Sequence, residues 1–483
     1  MIAFENSYAQ LPQQCFSPVD PTPVNSPELI KLNEPLAKQL GLDTRWLKSE
    51  QGIAMLSGNH VAEHSQPLAM AYAGHQFGQW VPQLGDGRAI LLGEVLDKNS
   101  QRFDIQLKGA GRTPYSRGGD GRNWVGPVLR EYLVSEAMAA LGVPTTRALA
   151  AVSTGDHVLR ENGPLPGAIV TRVASSHIRV GTFQYFAARE DEQALQALIE
   201  HAMARHYPAE SAEAENKALA LLQAVVNAQA SLVAHWQSIG FIHGVMNTDN
   251  CSISGHTIDY GPCAFMDTYQ ADKVFSSIDR GARYAYQNQP RIAQWNLANL
   301  AQCLLPFIHK DKEQAVALAQ DAINHFDAAF VEHYLQRMRA KLGLADEHDD
   351  DLQLVSNLLD LLEAQRLDFT TSFAQLTWQD AMSPFAPGGS LHDWQLRWQH
   401  RLGNDQQQID RSRLHMQVIN PVVIPRNHLI EAFIEQAITN GDYSAFLTML
   451  EVVTTPFDKT HLNGLYAKAP LVGEEVKHTF CGT

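Results

Sequence analysis

The sequence predicts an α+β fold with a β-rich first lobe and a large helical second lobe. Segments that alternate between apolar and polar residues lie between residues 89 and 174 and are typical of strands. From residue 190 onward, the chain is rich in Ala, Leu and Gln at helical spacing. We therefore divide it into an N-terminal extension (1–60), a first lobe (61–185) and a helical second lobe with a C-terminal tail (186–483).

Composition narrows the possible functions. The chain has 483 residues and a net charge of −15, from 37 basic and 52 acidic side chains, which argues against broad binding to nucleic acid or anionic membranes. No apolar run is long enough to span a bilayer, and the first residues lack the basic and apolar regions of a signal peptide. Five cysteines without C-x-x-C spacing fit a reducing compartment. We therefore expect a cytoplasmic protein, and we expect it to be a monomer.

Capping residues and periodicity predict the elements in order. Ser26-Pro27-Glu28 and Asn33-Glu34-Pro35 each place a capping residue beside a proline, which predicts two short helices, and Gly41 can end the second. The later elements expected are strands at 89–95 and 103–108, a helix at 127–142, a strand pair at 144–159, a strand at 167–174, and helices at 190–206, 213–238, 291–306, 312–341, 351–365 and 427–438. A loop at 384–389, an extended connection at 404–425 and a free tail at 480–483 complete the prediction.

A polar loop in the second lobe has the spacing of a metal-binding loop. Protein kinases place an H-R-D-x-x-x-x-N loop before an Asp-Phe-Gly that holds a divalent metal against phosphates. His243 to Asn250 keeps the His-to-Asn spacing, and Asp259-Tyr260-Gly261 stands where Asp-Phe-Gly is expected. Carboxylate and amide oxygens are the ligands that Mg²⁺ and Mn²⁺ prefer.

The proton acceptor of that loop is displaced. Val245 occupies the position of the kinase catalytic Asp and cannot accept a proton, which leaves Asp249 as the only carboxylate of the loop. Taken alone, the stretch is better explained as a polar turn capped by its own Asn and Asp side chains. The rest of the chain favours the metal-binding interpretation.

Three further features of the first lobe are those of a phosphate site. Gly85-Asp86-Gly87-Arg88 is a glycine turn that lets backbone N–H groups and a guanidinium approach a phosphate. Lys108 ends a strand where kinases keep a phosphate-contacting lysine, and Glu131 can reach it from the following helix. Arg172 and Arg179 suit phosphate oxygens. An ordinary hairpin, a surface lysine, an exposed helix Glu and solvated arginines are the simpler interpretations of each feature alone.

The combination resembles the selenoprotein O family, also called YdiU-like. The resemblance runs in order over nearly the whole chain, and it rests on residues 73–78 (AGHQFG), 84–88 (LGDGR), 107–117 (LKGAGRTPYSR), 177–183 (HIRVGTF) and 243–250 (HGVMNTDN). It implies a protein-kinase-like bilobal fold in which ATP lies flipped relative to kinases. It also implies transfer of AMP from ATP, or of UMP from UTP, to hydroxyl side chains of proteins.

The resemblance implies roles for individual residues. Asp249 would be the proton acceptor, and Asn250 and Asp259 would bind Mg²⁺ or Mn²⁺. Lys108 would pair with Glu131. The nucleotide would be bound by Gly85, Gly87, Arg88, Lys108, Asp120, Gly121, Arg172, Arg179 and Asp259.

Two stretches depart from the family pattern. Residues 123–128 replace a more basic, serine-containing approach to the Glu131 helix. Cys481 stands where members carry selenocysteine or cysteine thought to bridge to the activation segment, but the expected partner position holds Phe275. A redox bridge would then need Cys263 or Cys251, and a free tail thiol with buried core cysteines is at least as good an interpretation.

Three functions therefore compete. The first is a nucleotidyltransferase that modifies Ser, Thr or Tyr hydroxyls of proteins. The second is a phosphotransferase that uses the same loop conventionally. The third is a catalytically silent nucleotide-binding scaffold, which the combination of a cation set, metal ligands and a proton acceptor disfavours.

Overall fold

The computed structural model describes residues 2–161, 163–378, 383–385, 387–403 and 405–480. Its strands are β1 (Phe16–Pro18), β2 (Glu28–Leu32), β3 (Leu68–Met70), β4 (Gly74–Gln76), β5 (Gln79–Val81), β6 (Ala89–Leu96), β7 (Arg102–Lys108), β8 (Asn123–Trp124), β9 (Arg147–Arg160), β10 (Gly163–Ala174), β11 (Phe241–Ile242) and β12 (Ala264–Phe265). Short 3₁₀ turns lie between several of them, including one at Thr248–Asn250.

Eight of these strands form one antiparallel sheet. Its order is β1-β3-β6-β7-β10-β9-β2, and β8 pairs with β10 beside this path. The sheet is covered on both faces because its strands alternate their apolar side chains. Leu91 and Val170 point into a core shared with the helices, whereas Ile90 and Ile169 point into a second core beneath the N-terminal residues.

The helices follow the α+β pattern expected. They are α1 (Glu34–Gln39), α2 (Thr44–Leu47), α3 (Glu50–Leu56), α4 (Val125–Ala140), α5 (Val180–Ala187), α6 (Glu192–His206), α7 (Pro208–Glu213), α8 (Lys217–Ser238), α9 (Gln289–Ile308), α10 (Lys312–Lys341), α11 (Asp351–Ala364), α12 (Phe369–Trp378), α13 (His392–Leu402), α14 (Gln406–Ile419), α15 (Asn427–Asn440) and α16 (Ser444–Val453). The mixed composition and the antiparallel sheet agree with the predicted α+β class.

The buried stripe of α4 joins the sheet to the helical part. Leu129, Leu133 and Ala137, each four residues apart, are buried in the same core as apolar residues of α8 and α9. Among the described residues one helix, α8, is long and apolar enough to cross a membrane, and 61% of its most apolar window is buried inside the protein.

Most predicted elements are confirmed within a few residues, and the helix at 312–341 has the predicted bounds. The short helix predicted at Asn33 is also confirmed, since the Asn33 side chain accepts a hydrogen bond from Leu36 N and Gly41 has a φ of +73°.

Two strand-region predictions were wrong. Ser26-Pro27-Glu28 does not start a helix, because Glu28 begins β2, which pairs with β9 at the sheet edge. The pair of strands predicted at 144–159 is the single long strand β9. The register of β9 against β10 shifts near Gly155, whose φ is +72°, so a glycine that suggested a turn instead makes a bulge.

The C-terminal predictions were also partly wrong. Residues 404–425 are not an extended connection, since most of them form α14; only Ser412 and Met416 are buried on it, so its apolar stripe is too narrow to show helical periodicity. The helix predicted at 427–438 is α15, but α16 follows it. The loop predicted at 384–389 lies partly outside the described residues.

Candidate functional site

Four charged side chains form a closed ion network where the sheet meets the helices. Lys108, the last residue of β7, places its Nζ 2.7 Å from Glu131 Oε2 and 2.8 Å from Asp259 Oδ1. Arg172 of β10 donates from Nε to Glu131 Oε1 at 2.5 Å, and its Nη2 pairs with the same oxygen of Asp259. The expected pair of Lys108 and Glu131 is therefore present, and both cations bridge the two carboxylates.

The network fixes the ionisation of its acids. Burial alone raises the pKa of the Asp259 carboxyl, but Arg172, Lys108 and Arg179 outweigh it and hold that pKa well below its ordinary value. Glu131 behaves alike: burial opposes ionisation, and Arg172 and Lys108 lower its pKa. Both groups are therefore anionic at neutral pH, and they neutralise and orient Lys108 and Arg172.

Arg179 connects this network to the polar loop. It precedes α5, and its Nη1 donates to the carbonyl oxygen of Asp249 at 3.0 Å and lies 3.7 Å from Asp259 Oδ2. Its Nη2 lies 3.9 Å from Asp86 Oδ1, and its guanidinium stacks over the Tyr72 ring at 4.3 Å. A single buried arginine thus contacts the loop backbone and two acids.

Asp249 lies in the 3₁₀ turn Thr248–Asn250 and is only 7% exposed. Its Oδ2 accepts a hydrogen bond from Gln76 Nε2 at 3.2 Å, while its Oδ1 is buried and has no hydrogen-bond partner among the described residues. Burial raises the pKa of Asp249 to about 6, although the Gln76 hydrogen bond lowers it. The carboxylate is therefore a stronger base than one on the surface, as a proton acceptor requires.

A side-chain contact ties the loop to the Asp259 segment, and a second hydrogen bond lies within the loop. His243 Nε2 lies 2.8 Å from the carbonyl oxygen of Ile258, directly before Asp259. Asn250 donates from Nδ2 to the carbonyl oxygen of Val245 at 3.0 Å, which orients its side-chain amide. Asp259 itself has a φ of +65°, a left-handed conformation that is uncommon outside glycine.

The oxygen donors present fit a divalent cation. Asn250 supplies an amide oxygen, and Asp259 supplies a carboxylate whose side chain is 25% exposed. The described residues contain no cluster of three or more His, Cys, Asp or Glu side chains that could hold a metal. A cation here would therefore take its remaining ligands from phosphate oxygens and water, which is how Mg²⁺ is usually bound.

The predicted glycines are required by packing within the chain. A β-carbon on Gly85, whose φ is +72°, would lie 2.2 Å from the Tyr115 ring, and one on Gly87 would lie 2.9 Å from the Tyr115 carbonyl oxygen. A β-carbon on Gly121 would lie 2.0 Å from the carbonyl oxygen of Gly111. These contacts explain the glycines without a ligand, so the positions do not by themselves identify a nucleotide contact.

Arg88 and Asp120 lie at different distances from the ion network. The carbonyl oxygen of Arg88 accepts a hydrogen bond from Gly109 N at 2.7 Å, which places Arg88 beside the end of β7. Asp120 instead forms an ion pair with Arg160 at 2.7 Å and caps the turn at Arg122 N, and 43% of its side chain is exposed. The backbone of Arg88 therefore lies beside the Lys108 end of β7, whereas the side chain of Asp120 is paired with Arg160.

Sequence reasoning gave no role to two residues that the structure places here. Asp86 was treated as part of a turn, but it is buried and accepts hydrogen bonds from Gln106 Nε2 at 3.1 Å and Met70 N at 3.2 Å. Burial raises its pKa. Gln76 was noted only within the AGHQFG stretch. The signal available for Asp86 was an acid between two glycines, whereas Gln76, between His75 and Phe77, gave none.

The end of the chain pairs with the segment that follows Asp259. Thr479 N donates to the Phe275 carbonyl oxygen at 2.8 Å, Ser277 N donates to the Thr479 carbonyl oxygen at 3.0 Å, and Thr479 Oγ1 donates to the Pro262 carbonyl oxygen. The tail predicted to be free, 480–483, is described only at Phe480, which is 71% exposed; residues 481–483, including Cys481, lie outside the described part.

The two cysteines considered as alternative redox partners are buried. Cys251 and Cys263 lie in the core, and burial raises the pKa of the Cys251 thiol to about 12. A thiol held protonated is a poor nucleophile for disulfide exchange, so Cys251 does not suit a redox bridge.

Comparisons with known proteins agree with the resemblance. The family profile described as “Protein adenylyltransferase SelO” matches residues 1–454. A protein of Rhizobium etli named “Protein nucleotidyltransferase YdiU” is 55% identical over 100% of this chain and 97% of its own length. Proteins of the same name from Bradyrhizobium diazoefficiens and Rhodopseudomonas palustris are 53% and 54% identical, each over 99% of both chains.

Proposed function

Because the chain belongs to the SelO family of protein adenylyltransferases, we propose that it transfers AMP from ATP to Ser, Thr or Tyr hydroxyls of other proteins. Transfer of UMP from UTP is the second nucleotide preference to test. The observation that carries the proposal is the convergence of Lys108, Arg172 and Arg179 on Asp259, next to a buried Asp249 in a loop that has Val245 in place of an acid.

The three cations would bind the phosphates. Glu131 holds Lys108 and Arg172 from the buried side, and Asp259 holds them from the more exposed side. A triphosphate would replace part of the Asp259 contact, so that cations already aligned neutralise the charge that develops on the phosphate oxygens. Because the fold holds these cations in advance, little reorganisation is needed when the nucleotide binds.

Asp249 would accept the proton of the attacking hydroxyl. The acceptor oxygen forms a bond to the α-phosphorus, the bond from that phosphorus to the bridging oxygen breaks, and pyrophosphate leaves with the electron pair. The hydroxyl proton passes to an Asp249 carboxylate oxygen. A pKa of about 6 leaves this group mostly ionised at neutral pH and more basic than an exposed carboxylate.

Asn250 and Asp259 would hold Mg²⁺ or Mn²⁺ through their side-chain oxygens. When bound, the ion would neutralise charge on the phosphate oxygens. Asp259 suits this role because the surrounding cations keep it ionised. Its hydrogen bonds to Lys108 and Arg172 go to Oδ1, and Arg179 Nη1 lies 3.7 Å from Oδ2, so a bound cation would share this carboxylate with three basic side chains.

We also propose a protein-kinase-like bilobal arrangement, with an extension at 1–60, a first lobe at 61–185 and a second lobe at 186–483. Its support is that the strands of the large sheet end by residue 174 and the long helices follow from residue 192. A cytoplasmic location is proposed on the cysteine pattern and is tested by fractionation. A monomeric state is proposed as well and is tested by size-exclusion chromatography.

The test uses ATP labelled at the α- or the γ-phosphate in separate reactions with the purified chain, Mg²⁺ or Mn²⁺, and candidate protein acceptors. We expect covalent label on protein from the α-labelled ATP only, with an intact-mass increase equal to AMP. Asp249→Asn should lower the rate of AMP transfer about 100- to 10,000-fold, and Asp346→Asn, which removes an exposed acid paired with Arg401, should leave the rate unchanged. Label from γ-labelled ATP would indicate a phosphotransferase, label from α-labelled UTP alone would indicate UMP transfer, and no label with ATP or UTP would indicate a scaffold.

A further inference from the structure

We infer that Gln76 is a positioning residue for Asp249, and this inference rests on the proposed AMP transfer. Gln76 is the last residue of β4, and its Nε2 donates to Asp249 Oδ2 at 3.2 Å. It is the only described side chain that forms a hydrogen bond with an Asp249 carboxylate oxygen. Its amide therefore determines where the proton acceptor points.

The hairpin that carries Gln76 is well defined. β4 and β5 pair in register with Gln76 opposite Gln79, and the two residues between them, Phe77 and Gly78, have φ values of +51° and +82°. Two successive positive φ values are those of a type I′ turn, whose twist matches that of antiparallel strands. The side chain of Gln76 thus leaves a rigid turn rather than a mobile loop.

Neighbours of Gln76 hold the polar loop through backbone groups. His75 N donates to Thr248 Oγ1 at 2.7 Å, and Phe77 N donates to Asn247 Oδ1 at 3.0 Å. Residues 75–77 of the hairpin therefore contact residues 247–249 of the loop. Asn247 Oδ1 also accepts from the Tyr284 hydroxyl at 2.6 Å, so the loop is held from a second side.

The other carboxylate oxygen of Asp249 is confined by Gly74. A β-carbon on Gly74 would lie 2.5 Å from Asp249 Oδ1, so the backbone of β4 packs directly against that oxygen. One oxygen therefore faces a glycine that has no side chain, and the other faces the Gln76 amide. The hairpin therefore limits the space available to the Asp249 carboxylate through Gly74 and sets its orientation through Gln76.

The hairpin is in turn anchored on the helices. Ala73 N donates to the Gly181 carbonyl oxygen at 2.9 Å. His75 Nδ1 lies 2.9 Å from Gln184 Nε2 of α5, and that amide also donates to Asn299 Oδ1 of α9 at 3.1 Å. Loss of the Gln76 amide should therefore leave the hairpin in place and release only the carboxylate.

The test compares Gln76→Met with Gln79→Met, its exposed cross-strand partner in the same hairpin. We expect Gln76→Met to lower kcat for AMP transfer about 10- to 100-fold, because small misplacements of a reacting group have effects of that size. The KM for ATP and the Tm should stay close to wild type, since the amide contacts neither the ion network nor the core. Gln79→Met should retain wild-type kcat.

A double-mutant cycle separates positioning from a structural role. If Gln76 acts through Asp249, then Gln76→Met should cause no further loss in an Asp249→Asn background. An unchanged or raised kcat in Gln76→Met, or an equal further loss in that background, would overturn the inference. Gln76→Ala, which removes the donor without adding a charge beside Asp249, replaces Gln76→Met if that variant does not fold.

Failure of the proposed function would look different. A wild-type chain that transfers no AMP would overturn both proposals, whatever the variants do. Wild-type transfer that is lost in Asp249→Asn but kept in Gln76→Met would overturn the role of Gln76 alone.

Discussion

Asp259 and Asp249, the two acids proposed to act in the site, differ in what determines their charge. Asp259 is ionised because three cations surround it, whereas Asp249 has a single neutral donor and a raised pKa. Asp259 is thereby suited to hold a cation and Asp249 to accept a proton. Their difference arises from neighbours contributed by distant strands, which the spacing of the loop alone does not reveal.

Gly74→Ala should impair transfer without unfolding the protein. The backbone of Gly74 lies in a strand and not in the left-handed region, so Ala costs little there, but its β-carbon would displace the Asp249 carboxylate. We expect kcat to fall about 10-fold or more and the free energy of unfolding to change by about 1 kcal/mol or less. Gly281→Ala is the control, since a β-carbon there meets no atom within 4 Å. Equal activities of the two variants would contradict the close packing.

Lys341 should make stability depend on pH. It is buried near the end of α10, its Nζ lies 4.2 Å from the Phe373 ring centroid and 5.7 Å from that of Phe369, and burial lowers its pKa from 10.5 to about 7. Between these pH values the unfolded chain holds a proton that the folded chain lacks, so this group's contribution to the free energy of unfolding rises with pH. Below pH 7 both states are protonated, and the cost of burying the charge is present in full.

Lys341→Met should therefore stabilise the protein most near pH 6 to 7, by about 1–3 kcal/mol, with the gain shrinking toward pH 10. Urea unfolding of wild type and variant across this range measures it. Lys459→Met is the matched control, because Lys459 also lies over an aromatic ring, that of Trp378, but is exposed. A gain that is constant with pH would show that Lys341 does not titrate in this window.

At the scale of elements, the length and regularity of the apolar pattern determined which helices and strands the sequence could predict. The helix at 312–341 and the strand at 103–108 carry long or regular patterns and were found as predicted. The hairpin of β4 and β5 was missed, because three-residue strands are too short for alternation and its turn is Phe-Gly instead of the common Asn-Gly. The β4–β5 hairpin, which contacts Asp249, is thus one of the elements that local sequence predicts least well.

The site residues, like the elements, could be predicted only in part. Spacing placed Asp249, Asn250 and Asp259 near one another, and strand position placed Lys108 within reach of Glu131. The contacts of Asp86 and Gln76 could not be predicted, because they depend on strands and loops that are far apart in the chain. Their roles, and those of the residues carried over from the family, stay predictions.

Thr479→Pro should loosen the segment that follows Asp259. The substitution removes the backbone N–H that donates a hydrogen bond to the Phe275 carbonyl oxygen. The free energy of local opening of residues 275–279 should therefore fall by about 1 kcal/mol. Amide hydrogen exchange there should accelerate several-fold, with Glu475→Pro as the control because Glu475 is exposed. Unchanged exchange at residues 275–279 in Thr479→Pro would contradict a stabilising contact.

That segment also leads to the polar loop. Asp279 accepts hydrogen bonds from the backbone of Arg283 and Tyr284, and the Tyr284 hydroxyl donates to Asn247. The tail is therefore linked through a short series of hydrogen bonds to the residues before Asp249. We expect a moderate fall in transfer by Thr479→Pro, smaller than that caused by Gly74→Ala.

At the scale of the whole molecule, the site is assembled from both halves of the chain. Lys108 and Arg172 come from the sheet, Glu131 comes from α4, and Asp249 and Asp259 come from loops that follow α8. The basic side chains of the sheet and the acidic side chains of the helical part therefore neutralise each other's charges. A ligand that binds all of them should stabilise the whole fold and not one part of it.

ATP with Mg²⁺ should consequently raise the Tm of the full chain by a few degrees at concentrations well above Kd, since a ligand at about 100 times Kd adds about 2.7 kcal/mol. We attribute this rise in Tm to ion pairs between the phosphates and the cations that, without ATP, pair with Glu131 and Asp259. Thermal unfolding of Lys108→Met should show little or no gain, because its cation is missing. Asp249→Asn should keep the gain, since this residue is proposed to act on the acceptor hydroxyl and not on the nucleotide. A gain that survives in Lys108→Met would place the nucleotide away from the ion network.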